Sequence, residues 1–339
     1  MAPRKILLVI IVVILALFVW DRFFRNQVSL PKGGETKVIT TEAGEVMETK
    51  GVKHSVPLDE IRGGGPPKDG IPSIDKPKFV SAASADFISD GEPGVAVEID
   101  GDARFYPFQI LVWHEIVNDT FPASPAGGGE KRVLVTYCPL CLSGIVFDPL
   151  VAGERVEFGT SGKLWQSNLV MYDRKTDSLW SQILGEAIVG ELTGAKLQVL
   201  PSDQTRFGEW KKLHPDGRVL SRDTGATRFY GTDPYGDYYT TPGTFFPVRG
   251  GDDRLEDKDF ILGVVIGGEA KAYFPPAVKK SGEIEDEFAG KIIVARYEKD
   301  LDVVRLFEKK EDGALERINP FGSFWFSWRA AHPETELYK

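Results

Sequence analysis

The chain holds two cysteines, and they stand three positions apart in Tyr137-Cys138-Pro139-Leu140-Cys141-Leu142-Ser143-Gly144. A Cys-x-x-Cys turn brings two sulfurs within reach of one metal ion or of one disulfide bond, and the fixed φ of Pro139 stiffens it. Upstream, Pro107 to Asn118 reads as a short helix with proline in its first turn and Asn near its end. Ile110, Leu111, His114 and Val117 share one face of it, so His114 is expected to point inward. Two thiolates and a neutral imidazole suit copper(I), or zinc completed by a fourth ligand or water, and Met171 is a further soft donor. Cys138, Cys141, His114 and Met171 are therefore the candidate metal ligands.

Two other uses of the pair stay open. One is a thiol-disulfide redox couple, although a thioredoxin-type site wants a helix to start at the first cysteine, where its dipole lowers the thiolate pKa. Here Ser143 to Asp148 reads as a strand. The other is a non-catalytic surface module in which the cysteines staple a turn. The absence of a second Cys pair argues against a closed zinc ribbon. Downstream, Asn168–Tyr172 and Leu179–Gln182 read as strands joined by a polar turn. Ser143, Ser161, Lys163, Asn168, Asp173 and Trp180 are candidates to line a pocket beside the thiols, or to pin irregular loops by hydrogen bonds. Ser161-Gly162-Lys163 is not a phosphate loop, because Phe158 stands where the first Gly belongs and Leu164 follows the lysine. The Gly-, Asp- and Tyr-rich stretch from Tyr230 to Tyr239 reads as turns.

The elements that must position these residues show an internal likeness. Val97 to Tyr106 matches Val264 to Tyr273, each a strand, a tight Gly-containing turn and a strand. Lys131 to Tyr137 matches Lys291 to Tyr297, and Trp210-x-x-x-His214-Pro215 matches Trp328-x-x-x-His332-Pro333. The reading is a mainly β (α+β) protein of two related β-rich halves from an internal duplication, about 77–250 and 251–339, with a few short helices. The first half is enlarged, and it alone carries both cysteines and His114. His214 and His332, present in both, are expected to pack or cap.

Before residue 77 the pattern changes. Ile6 to Trp20 is an unbroken apolar run of 15 residues flanked by Arg4, Lys5, Arg22 and Arg25. As a helix it spans roughly 22 Å, which flanking aromatics and snorkelling cations extend toward the bilayer's ~30 Å. A cleaved signal peptide is the rival reading, but no small-x-small site follows Trp20. Residues 1–26 are thus expected to be a signal anchor holding the body outside the cytoplasm, with the membrane as partner. Residues 27–76, rich in Gly, Pro, Lys and Glu, read as a flexible tether in which His54 is solvated, or as a partly ordered arm whose short apolar pieces Val56-Pro57-Leu58 and Ile71-Pro72-Ser73-Ile74 dock on the body. A net charge of -9 argues against a nucleic-acid partner.

Tyr-Cys-Pro-Leu-Cys-x-Ser-Gly-Ile-Val-Phe-Asp, Ser-Gly-Lys-Leu-Trp-x-Ser-Asn-Leu-Val-Met-Tyr-Asp-Arg, Ser-Leu-Trp-Ser-Gln and Tyr-Gly-x-Asp-Pro-Tyr occur in this order. In these motifs the chain resembles the bacterial and archaeal domain-of-unknown-function family 3179, from about residue 80 to the end. The resemblance implies export or membrane anchoring and no particular activity. It marks Cys138, Cys141, Ser143, Gly144, Ser161, Gly162, Asn168, Asp173 and Trp180 as signature positions. Leu142 departs from the small or polar residue usual there, which puts the polarity beside the second cysteine in doubt.

Overall fold

The computed structural model describes residues 30–41, 43–123 and 129–339. The expected anchor, residues 1–26, lies outside them. No helix among the described residues is long and apolar enough to cross a membrane. The protein is mostly β, with 44% strand and 11% helix, and its sheets take a propeller-like arrangement.

Two sheets are built around the hairpins matched in sequence. Pro93–Ile99 and Asp102–Pro107 turn through Asp100 and Gly101, both at positive φ, the two-residue turn whose twist matches the strands. This hairpin is flanked by Asp203–Arg206 on one side and by Arg218–Leu220, running parallel, on the other, where Phe79–Ser81 completes the sheet. Phe260–Ile266 and Glu269–Tyr273 are flanked in the same order by Phe321–Phe324 and by the parallel Glu336–Tyr338. In each case a short helix, Phe207–Leu213 or Trp325–Ala331, connects the two flanking strands. His214 and His332 cap these helices, their rings against Trp210 and Trp328 at 5.5 and 4.1 Å between centroids.

A buried polar triad recurs with this topology. Arg104, 3% exposed, pairs with Asp119 at 2.6 Å, and the Tyr106 hydroxyl donates to the same carboxylate oxygen at 2.5 Å. In the other hairpin, Lys271 pairs with Asp286 at 2.7 Å while Tyr273 donates to it at 2.8 Å. Each charge is tolerable inside because the partner carboxylate and the phenol satisfy it.

The segment expected to be a tether is instead built into the body. Thr36–Thr41, Gly44–Thr49 and Val52–His54 join one edge of an eight-stranded sheet, and Ile61–Gly63 forms the other edge. Between them lie Glu186–Val189, Leu179–Ser181, Asn168–Asp173 and Phe158–Trp165 of the enlargement. Val46, Val56, Ile61 and Ile74 are buried, so these short apolar pieces, though without a sustained period, find a core face supplied by the strands they flank. His54 is accordingly buried, not solvated, with its ring between Thr49 Oγ1 at 2.9 Å and the Val56 carbonyl at 2.8 Å.

Candidate functional site

The strand Lys131–Cys138 delivers the first cysteine to the edge of a turn, and the antiparallel strand Ser143–Asp148 leaves from it, with Ser143 opposite Cys138. Between them Pro139–Cys141 forms one turn of 3-10 helix, closed by Leu142 in the left-handed region at φ 48°. The sulfurs of Cys138 and Cys141 stand 3.5 Å apart as free thiols. Both are buried, at 2% and 0% exposure. Burial, then the hydrogen bond and charge of Cys141, then the charge of Glu115 push the Cys138 thiol well above its ordinary pKa. The neutral thiol is therefore the resting form of Cys138, and a three-residue helical turn supplies little dipole to change that.

One carbonyl receives both thiols. Cys141 Sγ donates to the Ser167 oxygen at 3.3 Å and Cys138 Sγ lies 4.0 Å from it. Ser167 sits at the tip of the hairpin Phe158–Trp165/Asn168–Asp173, whose two-residue turn is Gln166-Ser167 at φ 51° and 63°. Such a turn ordinarily takes Asn-Gly, because both positions need positive φ. Glu115, at φ 59°, and Leu142 add two more left-handed non-glycine residues around the pair. Strain of this kind, of order 1–3 kcal/mol per residue, persists where surrounding packing over-determines the backbone.

The sequence-predicted pocket residues turn out to be the supports of this arrangement. Gln182, fully buried, donates to Thr136 Oγ1 and to the Ser143 carbonyl, both at 2.9 Å, and accepts from Ser143 Oγ at 2.8 Å and Asn168 Nδ2 at 3.0 Å. Asn168 Oδ1 in turn accepts the Ile183 amide at 3.0 Å. This network ties the cysteine turn to the Ser167 hairpin. Ser161 donates to the Val170 carbonyl and accepts the Lys163 amide, spanning a register shift between Thr160 and Lys163. Asp173 accepts from the amides of Lys175 and Thr176, from the Thr176 hydroxyl and from Trp180 Nε1 at 3.0 Å, shaping the following turn. Lys163 is half-buried at a separate groove beside Ile61 and His54, and burial lowers its pKa.

His114 points inward, but both of its nitrogens are engaged. Nδ1 lies 2.7 Å from the Pro72 carbonyl, which can only accept, so Nδ1 carries the proton and Nε2 accepts from the Tyr230 hydroxyl at 2.6 Å. Thr224 Oγ1 is 2.6 Å from that same hydroxyl. Burial lowers the His114 pKa, which keeps the ring neutral. Met171 is buried in the apolar cluster that also holds Cys138 and Cys141. Among the described residues no three His, Cys, Asp or Glu side chains form a group that could hold a metal ion.

Sequence reasoning missed Glu115 and the tyrosines of the cover. Glu115 is 9% exposed, makes no side-chain hydrogen bond among the described residues, and is pushed up to about 8 by burial alone. From Ser221 to Asp259 the chain crosses the cysteine turn without strand or helix, a length that usually marks a functional loop. Tyr238, 1% exposed, donates from its hydroxyl to the Leu140 carbonyl at 2.9 Å and so closes the turn from above. Burial, then the charges of Glu115 and Cys138, raise the pKa of Tyr235. The adjacency of Glu115 to His114 was the one available signal for the carboxyl. For the cover it was the density of tyrosine in a turn-rich stretch.

A family model described as "Protein of unknown function (DUF3179)" matches residues 68–335. No curated protein and no solved structure matches the chain.

Proposed function

Since the chain belongs to the DUF3179 family, whose description carries no activity, its function has to come from the site, and we propose that it is a dithiol-disulfide redox protein using Cys138 and Cys141. The observation that carries this reading is a pair of free, buried cysteines 3.5 Å apart in one turn. Oxidation there exchanges one neutral state for another: two S–H bonds are lost and one S–S bond forms, so no charge is left buried. The two electrons and two protons pass to an organic disulfide, which leaves as two thiols. Attack needs a transient thiolate, and the proton it gives up passes to the thiolate that leaves the organic disulfide. The test is equilibration of the full chain in thiol-disulfide buffers of graded potential, followed by alkylation and mass measurement. A reversible two-electron couple that disappears in both Cys138→Ser and Cys141→Ser supports the reading; thiols that stay free in the most oxidising buffer end it.

The second reading is the soft-metal site, copper(I) before zinc. What favours it is the sulfur separation, near the ~3.8 Å that two thiolates span on one tetrahedral ion with bonds of about 2.3 Å. His114, engaged by Pro72 and Tyr230, forms no ligand group with the two cysteines among the described residues, so the ion would take its remaining ligands from outside the chain. Metal content of the purified protein, compared with the two serine variants, decides it: equal content in all three rejects the site. We also propose that residues 1–26 anchor the protein with its body outside the cytoplasm, on the apolar run Ile6–Trp20 and its basic flank. Extraction of the protein from membranes by alkaline carbonate would reject the anchor. The two halves are taken as copies of one unit, on the shared strand order and the paired cation-carboxylate-tyrosine triads.

A further inference from the structure

The Gln166-Ser167 turn touches more than the thiols. Gln166, 5% exposed, accepts the Arg249 amide on its Oε1 at 2.8 Å and donates from Nε2 to Glu60 Oε2 at 2.8 Å. Glu60 also accepts from Trp165 Nε1 at 2.9 Å. Arg249 belongs to the Ser221–Asp259 cover, and Glu60 to the N-terminal segment that completes the eight-stranded sheet. One left-handed pair of residues therefore joins the cysteine turn, the cover and the N-terminal segment.

We propose that the Gln166-Ser167 turn is a redox latch, in which closing the Cys138–Cys141 disulfide frees the Arg249 amide and loosens that end of the cover, which the Ala330 carbonyl and Arg329 still tether through the Arg249 guanidinium and carbonyl. This rests on the dithiol reading and adds the regulation of the same site. In the reduced protein the Ser167 carbonyl is satisfied by the two thiols, and among the described residues no backbone amide reaches it. When the pair oxidises, an organic disulfide taking up the two electrons and two protons, both S–H donors vanish. A buried carbonyl is then left without a partner at the tip of a turn already held at two unfavourable φ values. Rotating the turn to reach water moves the Gln166 side chain that holds the Arg249 amide. The reduced state is thus the closed one, and the oxidised state exposes the disulfide to the thiol that would reduce it.

Amide hydrogen exchange of the full chain, compared after tris(carboxyethyl)phosphine and after excess oxidised glutathione, reads this directly. Peptides covering residues 164–170 and 245–251 should exchange about tenfold faster or more in the oxidised protein. The Cys138→Ser/Cys141→Ser double variant should show no response to either reagent. In Gln166→Ala the 245–251 peptide should exchange fast in both states while the 164–170 peptide still responds. Complete loss of free thiols on denaturing titration, with unchanged exchange at 245–251, would overturn the latch and leave the redox couple standing. Thiols that remain free in excess oxidised glutathione would remove the couple and the latch together.

Discussion

Replacing Glu115 by Gln should stabilise the protein by an amount that grows with pH. The side chain is 9% exposed and its carboxyl is held at about 8, against an ordinary 4.5. Below pH 4.5 it is protonated in the folded and the unfolded chain alike, and its contribution is fully present. Between 4.5 and 8 the unfolded chain gives up a proton that the folded chain keeps, so each rise in pH favours unfolding; above 8 the loss levels off. At 1.36 kcal/mol per pK unit, the wild-type protein should lose about 3 kcal/mol between pH 5 and pH 8 through this group. Glutamine has the same shape and no proton to lose. Urea denaturation of both proteins at unit pH intervals from 5 to 8 should show two stability curves that diverge steadily, the variant lying above. Curves that stay parallel across this range would mean that Glu115 ionises normally in the folded protein, and the argument that burial holds its carboxyl protonated would fall.

Gln182→Leu should cost about 3 kcal/mol, because the Ser143 hydroxyl and the Asn168 amide lose their acceptor and the Ser143 carbonyl a donor in a dry interior; the urea midpoint reads it. Asp119→Ala should cost about 1–3 kcal/mol, because the Tyr106 hydroxyl loses its acceptor and Arg104 loses one of its two carboxylates while keeping Asp102 at 2.8 Å. The matching change at Asp286 should cost a similar amount, since Lys271 keeps Glu336 at 3.0 Å as Arg104 keeps Asp102, and a loss above about 3 kcal/mol in either variant would contradict this. His114→Phe should remove about 1–3 kcal/mol and speed proteolysis within residues 224–232, because the Tyr230 hydroxyl loses its acceptor and the Pro72 carbonyl its donor; unchanged cleavage would show that the ring does not hold that end of the cover.

Much of the scaffold was legible because it is local. Alternating apolar residues on either side of Asp100-Gly101 and of Gly267-Gly268 define hairpins whatever the rest of the chain does. The helices before His214 and His332 are set by a stopping proline and a tryptophan one turn earlier. The N-terminal segment was misread because its apolar residues are few and irregularly spaced. They make strands only where Glu186–Val189 and Phe158–Trp165 offer edges to pair with. Ser143, Asn168 and Asp173 stood out as polar residues in an apolar context, but spacing cannot say whether such a group faces a ligand or another side chain. Gln182 answers that for two of them, and it comes from a strand end 39 residues after Ser143.

By itself the sequence determined that two sulfurs would meet, since a four-residue turn stiffened by proline leaves them nowhere else to go. It also determined that the chain would be mostly β, through its hairpin turns and alternating strands. Only the tertiary structure decided what those sulfurs would be. The hairpin tip at Ser167, the Glu115 carboxyl and the Tyr238 hydroxyl reach the cysteine turn from separate parts of the chain. Their arrival seals it from water and so sets its protonation. Burial and electrostatics depend on what surrounds a group in space, and no local pattern of residues encodes that.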